Sequence, residues 1–586
     1  MTYFILFLIS FMGINLAVFN YSRLKLIMAP FISVSIISSV MMIAGLLNIL
    51  EPTVGIIQIL GVLFALYYGY QFYRQKNFKQ FFQKEFNFGI LLYILGGLYF
   101  LFLLRNQELV HYDNFSHWGT VVKEIFLNNA LPTEWTHISD FTNYPPGTAV
   151  FIYYFMKATF PSEGMALFGQ YLIISSSIST IFSIGNRFSS EVRDKYSKIR
   201  NIAINLMLTL LSIYLLVGVR RVQDLLVDTV LVVVGIALLL TIVEMFREKA
   251  VNPFILTAIL FFLTLVKNIG ILFAVIALII YILLLVINKR HKQIKNWLPV
   301  LAPVVANRLW AAHVALVFPV TEVSKHDLSV ENYAATFSEK TRLDIQMIAE
   351  NFFEKVSNYN FVPLILLSVI LLAIMFIGKA YQAKKLFLGL IFFMSLLLIY
   401  IFGLLAMYIF SMPINEALGV AAFGRYMNTF DIYLVGIISL MILHGIQGYD
   451  IKKQLVFIGL FILTIGVNNL MADKLGIVQT FTIREQDSKV TNLESAFPDL
   501  TDNKILSSLP DETYLIYEPE NGASSFQNYY MKYRFNSDNV IIVDSTESLK
   551  AQYKDADYIL IPDSALDVEL DDLNITRVQD RKYKVN

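Results

Sequence analysis

Cysteine is absent from all 586 residues. Disulfides, thiolate metal cages and cysteine nucleophiles are thereby excluded. Charge is scarce: Asp, Glu, Lys and Arg make up 16% of the chain, with a net charge of +1. So even a balance carries no footprint for nucleic acid, and no such partner is expected. No basic stretch precedes the first apolar run, Tyr3 to Val18, and no small-residue cleavage site follows it. That run reads as a retained span, not a cleaved signal. Glycine is rare near the C-terminus, where Gly522 stands alone after residue 480. That is too little for a phosphate-cradling loop.

What fills the chain is apolar residues, 56% of it, with a mean hydropathy of +0.60. Many runs reach the roughly 20 residues needed to cross a bilayer. The expected fold class is a polytopic α-helical membrane protein with about 14 transmembrane helices. They are placed at 2–19, 28–48, 54–71, 87–104, 165–187, 201–219, 226–245, 252–266, 268–287, 298–318, 361–378, 386–409, 429–447 and 454–470. Short basic connections hold Arg23 and Lys25, Arg74 to Lys84, Arg193 to Arg200, Arg247 and Lys249, Lys289 to Lys295, Lys379 to Lys385, and Lys452 with Lys453. The positive-inside rule puts these in the cytoplasm and leaves 105–145, 220–225, 319–360, 410–428 and 471–586 outside. The count closes if 147–160 is a re-entrant or surface helix; the alternative is a full span that breaks the charge rule. The chain then divides into N-terminal helices (1–86), a bundle with external loops 105–145 and 319–360 (87–470), and an extracytoplasmic tail (471–586). In that tail Thr513 to Tyr517, Val540 to Val543 and Tyr558 to Ile561 read as strands, with helices near Phe526 to Tyr533 and Glu547 to Tyr553 between them. This alternation predicts a small α/β domain.

The first long polar break is His111-Tyr112-Asp113-Asn114-Phe115-Ser116-His117-Trp118-Gly119, continued to Tyr144-Pro145-Pro146-Gly147. Ser116 is placed to cap a helix whose row Trp118, Val122 and Phe126 would rest on the membrane surface, with Lys123, Glu124 and Asn128 facing elsewhere. Asp113, outside and close to the bilayer, suits a general base for a hydroxyl nucleophile, or else a solvated loop acid. His117 would orient it or touch a phosphate; an aromatic contact is the plain alternative. Tyr112, Trp118 and Tyr144 suit stacking on a sugar or lipid, or interface anchoring. A second cluster runs Arg220-Arg221-Val222-Gln223-Asp224-Leu225-Leu226-Val227-Asp228. Arginines on the outer side suggest an anionic partner, and Asp224 and Asp228 share a face if helical. Internal pairing of these arginines with the acids is the alternative. Lys267 is a candidate for a lipid phosphate or a snorkelling lysine. Arg425-Tyr426 opens a late span, and the arginine suits bidentate phosphate binding or pairing with Glu416. No zinc spacing occurs, and no cofactor is required, although Asp113, Asp224 and Asp228 are oxygen donors that suit a divalent cation.

These residues resemble the GT-C superfamily of membrane glycosyltransferases that use polyprenyl-phosphate sugars. In that superfamily an acid sits in the first large external loop beside surface helices, as Asp113 does here. A Tyr-Pro-Pro-Gly turn is frequent among related bacterial proteins and matches Tyr144 to Gly147; an Arg-Tyr pair opening a late span matches Arg425-Tyr426. Asp224, Asp228 and Lys267 resemble the second-loop and lipid-phosphate elements. The string Asp-Asn-Phe-Ser-His-Trp-Gly is most similar to multispan proteins of Gram-positive bacteria linked to surface polysaccharide or teichoic acid. The likeness covers roughly 105–470 and departs in having four spans before the acidic loop. It implies an inverting transferase in the bacterial plasma membrane. A sugar would move from a polyprenyl-phosphate donor, lying in a lateral opening to the membrane lipid, to a cell-envelope glycan or polymer acceptor. Asp113 would act as base, with Arg220 or Arg221, Lys267 and Arg425 on the phosphate. The rival readings are a flippase or transporter for a lipid-linked saccharide, and a non-catalytic subunit of a polysaccharide assembly.

Overall fold

The computed structural model describes residues 2–185, 196–218, 222–318, 330–377, 383–471, 474–484, 503–506, 512–517, 525–561, 572–579 and 582–586. Among these the chain is mostly helical, with one small sheet near its C-terminus. Eleven helices are long and apolar enough to cross a membrane, or thirteen if each of two bent pairs is one span. The three of the fourteen expected spans that fall short do so for local reasons. Asn252 caps a helix opened by Pro253, which ends at Thr264 after 12 residues. Phe88–Leu104 has 17 residues and is bent 88° from Phe78–Glu85. Val362–Ile377 has 16 and is bent 57° from Arg342–Ser357.

The segment expected to be re-entrant or superficial forms the helix Gly147–Ala158, of 12 residues. At a rise of 1.5 Å per residue it is about 18 Å long, short of the roughly 30 Å hydrocarbon core. It is not a surface helix: all but Lys157 are buried, among helices Ala29–Leu46, Gly119–Asn128 and Glu163–Ser179.

The two ends of the bundle differ in kind. Basic turns gather at one end, where Lys25 donates to the Ser183 carbonyl at 2.7 Å and Arg290 to that of Lys249 at 3.3 Å. The other end collects the starts of helices Asp228–Arg247 and Phe423–Gly445 and the turn after Pro253–Thr264.

The C-terminal sheet has the order β2-β1-β3-β5-β4. Strands β1 (Tyr514–Tyr517), β2 (Val540–Val543) and β3 (Tyr558–Leu560) are parallel, with helices Ser525–Phe535 and Thr546–Gln552 between them in sequence. A hairpin, β4 (Ile575–Gln579) and β5 (Lys582–Val585), extends the sheet antiparallel beyond β3, an addition the sequence pattern did not predict.

The expected membrane-surface helix is the largest correction. The helix begins at Tyr112, passes through a π turn at Asn114–Trp118 and continues as Gly119–Asn128. Ser116 therefore lies inside it and caps nothing. Lys123 and Glu124, expected to face away, are wholly buried. The cause is helix Ser525–Phe535, which covers that side: Phe115 meets Phe526 and Tyr530 edge-on. Lys123 Nζ donates to the carbonyls of Tyr533 (2.5 Å) and Arg534 (3.1 Å), at a helix end whose last carbonyls have no partner within the helix. Burial holds this ammonium well below its ordinary pKa. The Tyr533 hydroxyl in turn donates to Glu163 Oε1 at 2.6 Å, while Glu163 Oε2 accepts from the Leu109 amide at 2.8 Å. The loop is thus held between the membrane bundle and the C-terminal unit.

Candidate functional site

The site begins with two close approaches that only glycine permits. A Cβ on Gly147 would lie 2.4 Å from the Leu265 carbonyl oxygen, and the Gly147 amide donates to that same oxygen at 2.8 Å. The Tyr144-Pro-Pro-Gly turn is so pinned to the segment that carries Lys267. Trp310 Nε1 holds the turn from outside through the Asn143 carbonyl, at 3.0 Å. A Cβ on Gly119 would meet the Asn114 carbonyl oxygen at 2.8 Å, so Gly119 allows the π turn to close. The wider turn sets Asn114 against the second cluster. Its Oδ1 accepts from the Leu225 amide at 3.0 Å, and its Nδ2 donates to Asp224 Oδ1 at 3.4 Å.

Four charged side chains then converge. Arg425 Nη1 donates to Asp113 Oδ2 across 312 residues of sequence. Arg425 Nε lies 4.0 Å from Asp228 Oδ2, and Lys267 Nζ pairs with Asp228 Oδ1 at 2.9 Å. The order is carboxylate, guanidinium, carboxylate, ammonium. The Tyr426 ring lies 5.4 Å from the Arg425 guanidinium and 6.0 Å from Lys267 Nζ. All four charged side chains are at most 20% exposed.

The chain matches no protein-family model, no curated protein and no solved structure. The site's meaning therefore rests on its own chemistry. Asp113, Asp228, Lys267, Arg425 and Tyr426 come together as one group. Arg425 takes Asp113 and Asp228 as partners, where the sequence offered Glu416. Asp224 leaves the group: it belongs to a turn and not to the helix that Asp228 opens, so the two do not share a helical face. Its Oδ1 lies 3.3 Å from Arg484 Nη1, and Arg484 also donates to the carbonyls of Glu108 and Gln223. Asp224 thus anchors the tail. Arg220 and Arg221 lie outside the described residues. Among the described residues no three of His, Cys, Asp and Glu gather as a metal ion needs. Asp113, Asp224 and Asp228 each face a cation of the chain itself.

The aromatic candidates divide. Trp118 and Tyr144 stack at 5.5 Å and 13°, with His117 packed 4.6 Å from both Trp118 and Phe141. His117 shares a hydrogen bond with Ser116 Oγ at 2.8 Å. Burial, aided by the charges of Lys267 and Arg425, holds its pKa well below the usual histidine value. Its ring packs among Trp118, Phe141 and Tyr144. The histidine beside Asp113 is His111, whose Nδ1 accepts from the Asp113 amide at 3.1 Å and lies 3.8 Å from Asp113 Oδ1. Only its place two residues earlier signals it. Tyr112 faces the C-terminal helix, edge-on to Tyr529 at 5.4 Å, and burial raises its pKa. Arg484 and Lys123 carry no local signal at all, since their partners lie hundreds of residues away.

Beside the site His137 Nδ1 sits 2.8 Å from Glu124 Oε2, and the Ile138 amide donates to Oε1 at 2.8 Å. Burial pulls the imidazolium down, but the Glu124 carboxylate outweighs it, with Asp538 and Asp140 adding to it, and the pKa is raised. A raised folded-state pKa gives stability that is full below the unfolded value, about 6.5, and is lost as pH climbs through the folded value. The gap in melting temperature between the parent and His137→Asn should be widest at acid pH and narrow as pH rises above that window. A gap that widens with pH contradicts this.

Proposed function

We propose that the chain is an inverting GT-C-type glycosyltransferase, moving a sugar from a polyprenyl-phosphate donor to a cell-envelope glycan or polymer acceptor at the outer face of the bacterial plasma membrane. The observation that supports it is the Asp113–Arg425 pair: a proton acceptor and a bidentate phosphate binder in contact, at the end of the bundle opposite the basic turns. In the resting protein Arg425 occupies Asp113 Oδ2. A donor phosphate competes for the guanidinium and draws it away, which frees the carboxylate. The acceptor oxygen then bonds to the anomeric carbon as its proton passes to Asp113. The bond from that carbon to the phosphate oxygen breaks in the same displacement. Arg425 and Lys267 stabilise the charge that grows on the departing polyprenyl phosphate. The donor thus arms its own base, and binding is ordered, donor first.

The test is titration of the reconstituted protein with a polyprenyl-phosphate analogue, paired with a transfer assay in liposomes. Arg425→Ala is expected to weaken analogue binding by roughly ten- to a hundredfold, the value of a charged hydrogen bond. Unchanged affinity removes the phosphate role. Movement of an intact lipid-linked saccharide across the bilayer without cleavage replaces the transferase reading with the transporter.

A further inference from the structure

Helices Thr2–Ser22 and Leu50–Gln75 cross at one tight point. A Cβ on Gly13 would lie 1.9 Å from the Gly61 carbonyl oxygen, and one on Gly61 2.1 Å from the Ser10 hydroxyl. Small residues allow membrane helices this approach. Away from that crossing the pair does not close on helix Phe88–Leu104, and an apolar groove of about 780 Å³ remains. Phe7, Phe11, Phe72, Tyr93 and Phe168 are among its walls. Two glycines keep it wide: Gly69 and Gly97 both line it, and a Cβ on either would meet nothing within 4 Å.

The groove is closed at the basic end by the short helix Phe78–Glu85, at 88° to Phe88–Leu104. Phe78, Phe81 and Phe82 line the groove, at the i, i+3, i+4 spacing of one helix face. Lys79 and Lys84 on that helix, with Arg74 and Lys76 just before it, are exposed. An apolar aromatic face with cations on its back is the pattern of a helix lying in the membrane interface. The single acid here, Glu85, is engaged by the Leu26 amide at 3.3 Å and Lys84 at 3.8 Å.

We propose that this groove is a binding site for one anionic phospholipid of the leaflet on the basic side, its acyl chains between the three helices and its phosphate on the cations of Arg74 to Lys84. Hydrocarbon is the filling that suits the walls. Left empty, the groove forfeits dispersion contacts along its whole lining. Water needs several polar partners, and a lining of mostly Phe, Leu and Ile offers few, at Asn15, Tyr73, Tyr93 and Ser175. The charge selects the headgroup, because basic residues at the interface attract anionic lipid. The bound lipid then braces one flank of Phe88–Leu104, the helix that leads the chain to Asp113. Nothing in this depends on the chemistry at Asp113.

The experiment uses the full chain, purified in mild detergent and exchanged into vesicles of phosphatidylglycerol and phosphatidylcholine, with retained lipid counted by native mass spectrometry. The parent is expected to keep one lipid per chain, with phosphatidylglycerol preferred. Gly69→Leu and Gly97→Leu fill open space and improve helix propensity, so both should fold and lose the retained lipid. Replacing Arg74, Lys76, Lys79 and Lys84 by glutamine should keep a lipid but abolish the preference for phosphatidylglycerol. Should either leucine variant fail to fold, phosphatidylglycerol added to the parent must still raise its melting temperature saturably, and the glutamine variant must lack that rise. Equal lipid in parent and plugged variants, an unchanged headgroup preference in the glutamine variant, or polyprenyl phosphate as the only lipid carried from the cell overturns the site.

Discussion

Asp113→Asn is expected to lower sugar transfer at saturating donor by about a hundred- to ten-thousandfold, the usual value of a positioned general base. Asparagine keeps the shape of the side chain and loses the proton acceptor. The fold should tolerate it. The amide oxygen can still accept from Arg425, so the guanidinium keeps a neutral partner there and Asp228 at 4.0 Å, which an apolar replacement would not give. Donor binding should persist or tighten, because Arg425 no longer has to leave a carboxylate to reach the phosphate. Loss of transfer with retained or improved binding is the signature of a masked base. Transfer within a few-fold of the parent moves the base to Asp228, the second carboxylate of the group. Should Asp228→Asn also leave transfer intact, the enzyme reading gives way to an assembly subunit.

The other large effect concerns Lys267. Its partner Asp228 has a side chain only 4% exposed, and Lys267 itself is 13% exposed. Lys267→Met removes the 2.9 Å partner of that carboxylate and leaves the Arg425 guanidinium 4.0 Å away. Removing one member of a buried pair costs about 3–5 kcal/mol, so a marked fall in melting temperature is expected. The double variant Lys267→Met/Asp228→Leu removes both charges and should recover most of the loss, since apolar replacement of a buried pair is often neutral. Transfer assays then separate the roles. A lysine that also holds donor phosphate leaves the double variant stable and inactive. A lysine that only neutralises Asp228 leaves it stable and active, which counts against a phosphate role.

The apolar runs carried the bundle, because a bilayer sets the length of what crosses it. Where the span count came out high, at Pro253–Thr264, a proline start and an early stop had trimmed an apolar run that composition alone does not distinguish from a span. The three parallel strands of the tail were legible as short β-branched and aromatic runs. The β4–β5 hairpin was not, because Lys582, Lys584 and Arg577 break its apolar pattern. At the site the kinds of residue were legible and their pairing was not. Asp113, Lys267 and Arg425 each stand out as charges beside apolar spans. That Arg425 closes on Asp113 depends on packing between helices, which local spacing does not encode. The same limit hid Lys123, which reads as the polar back of an amphipathic helix until a second helix covers it.

That covering helix bears on the order in which the protein is made. Lys123 finds its acceptors 410 residues further on, and Glu163 receives the Tyr533 hydroxyl 370 residues after itself. Every membrane helix emerges during synthesis before either contact exists. Until residue 535 arrives, a lysine and a glutamate that will end up buried must stay hydrated, which keeps the Asp113 loop from settling on the bundle. A chain that ends before this helix therefore has its membrane helices but lacks the partners of Lys123 and Glu163. Helix Ser525–Phe535 completes a loop made about 410 residues before it.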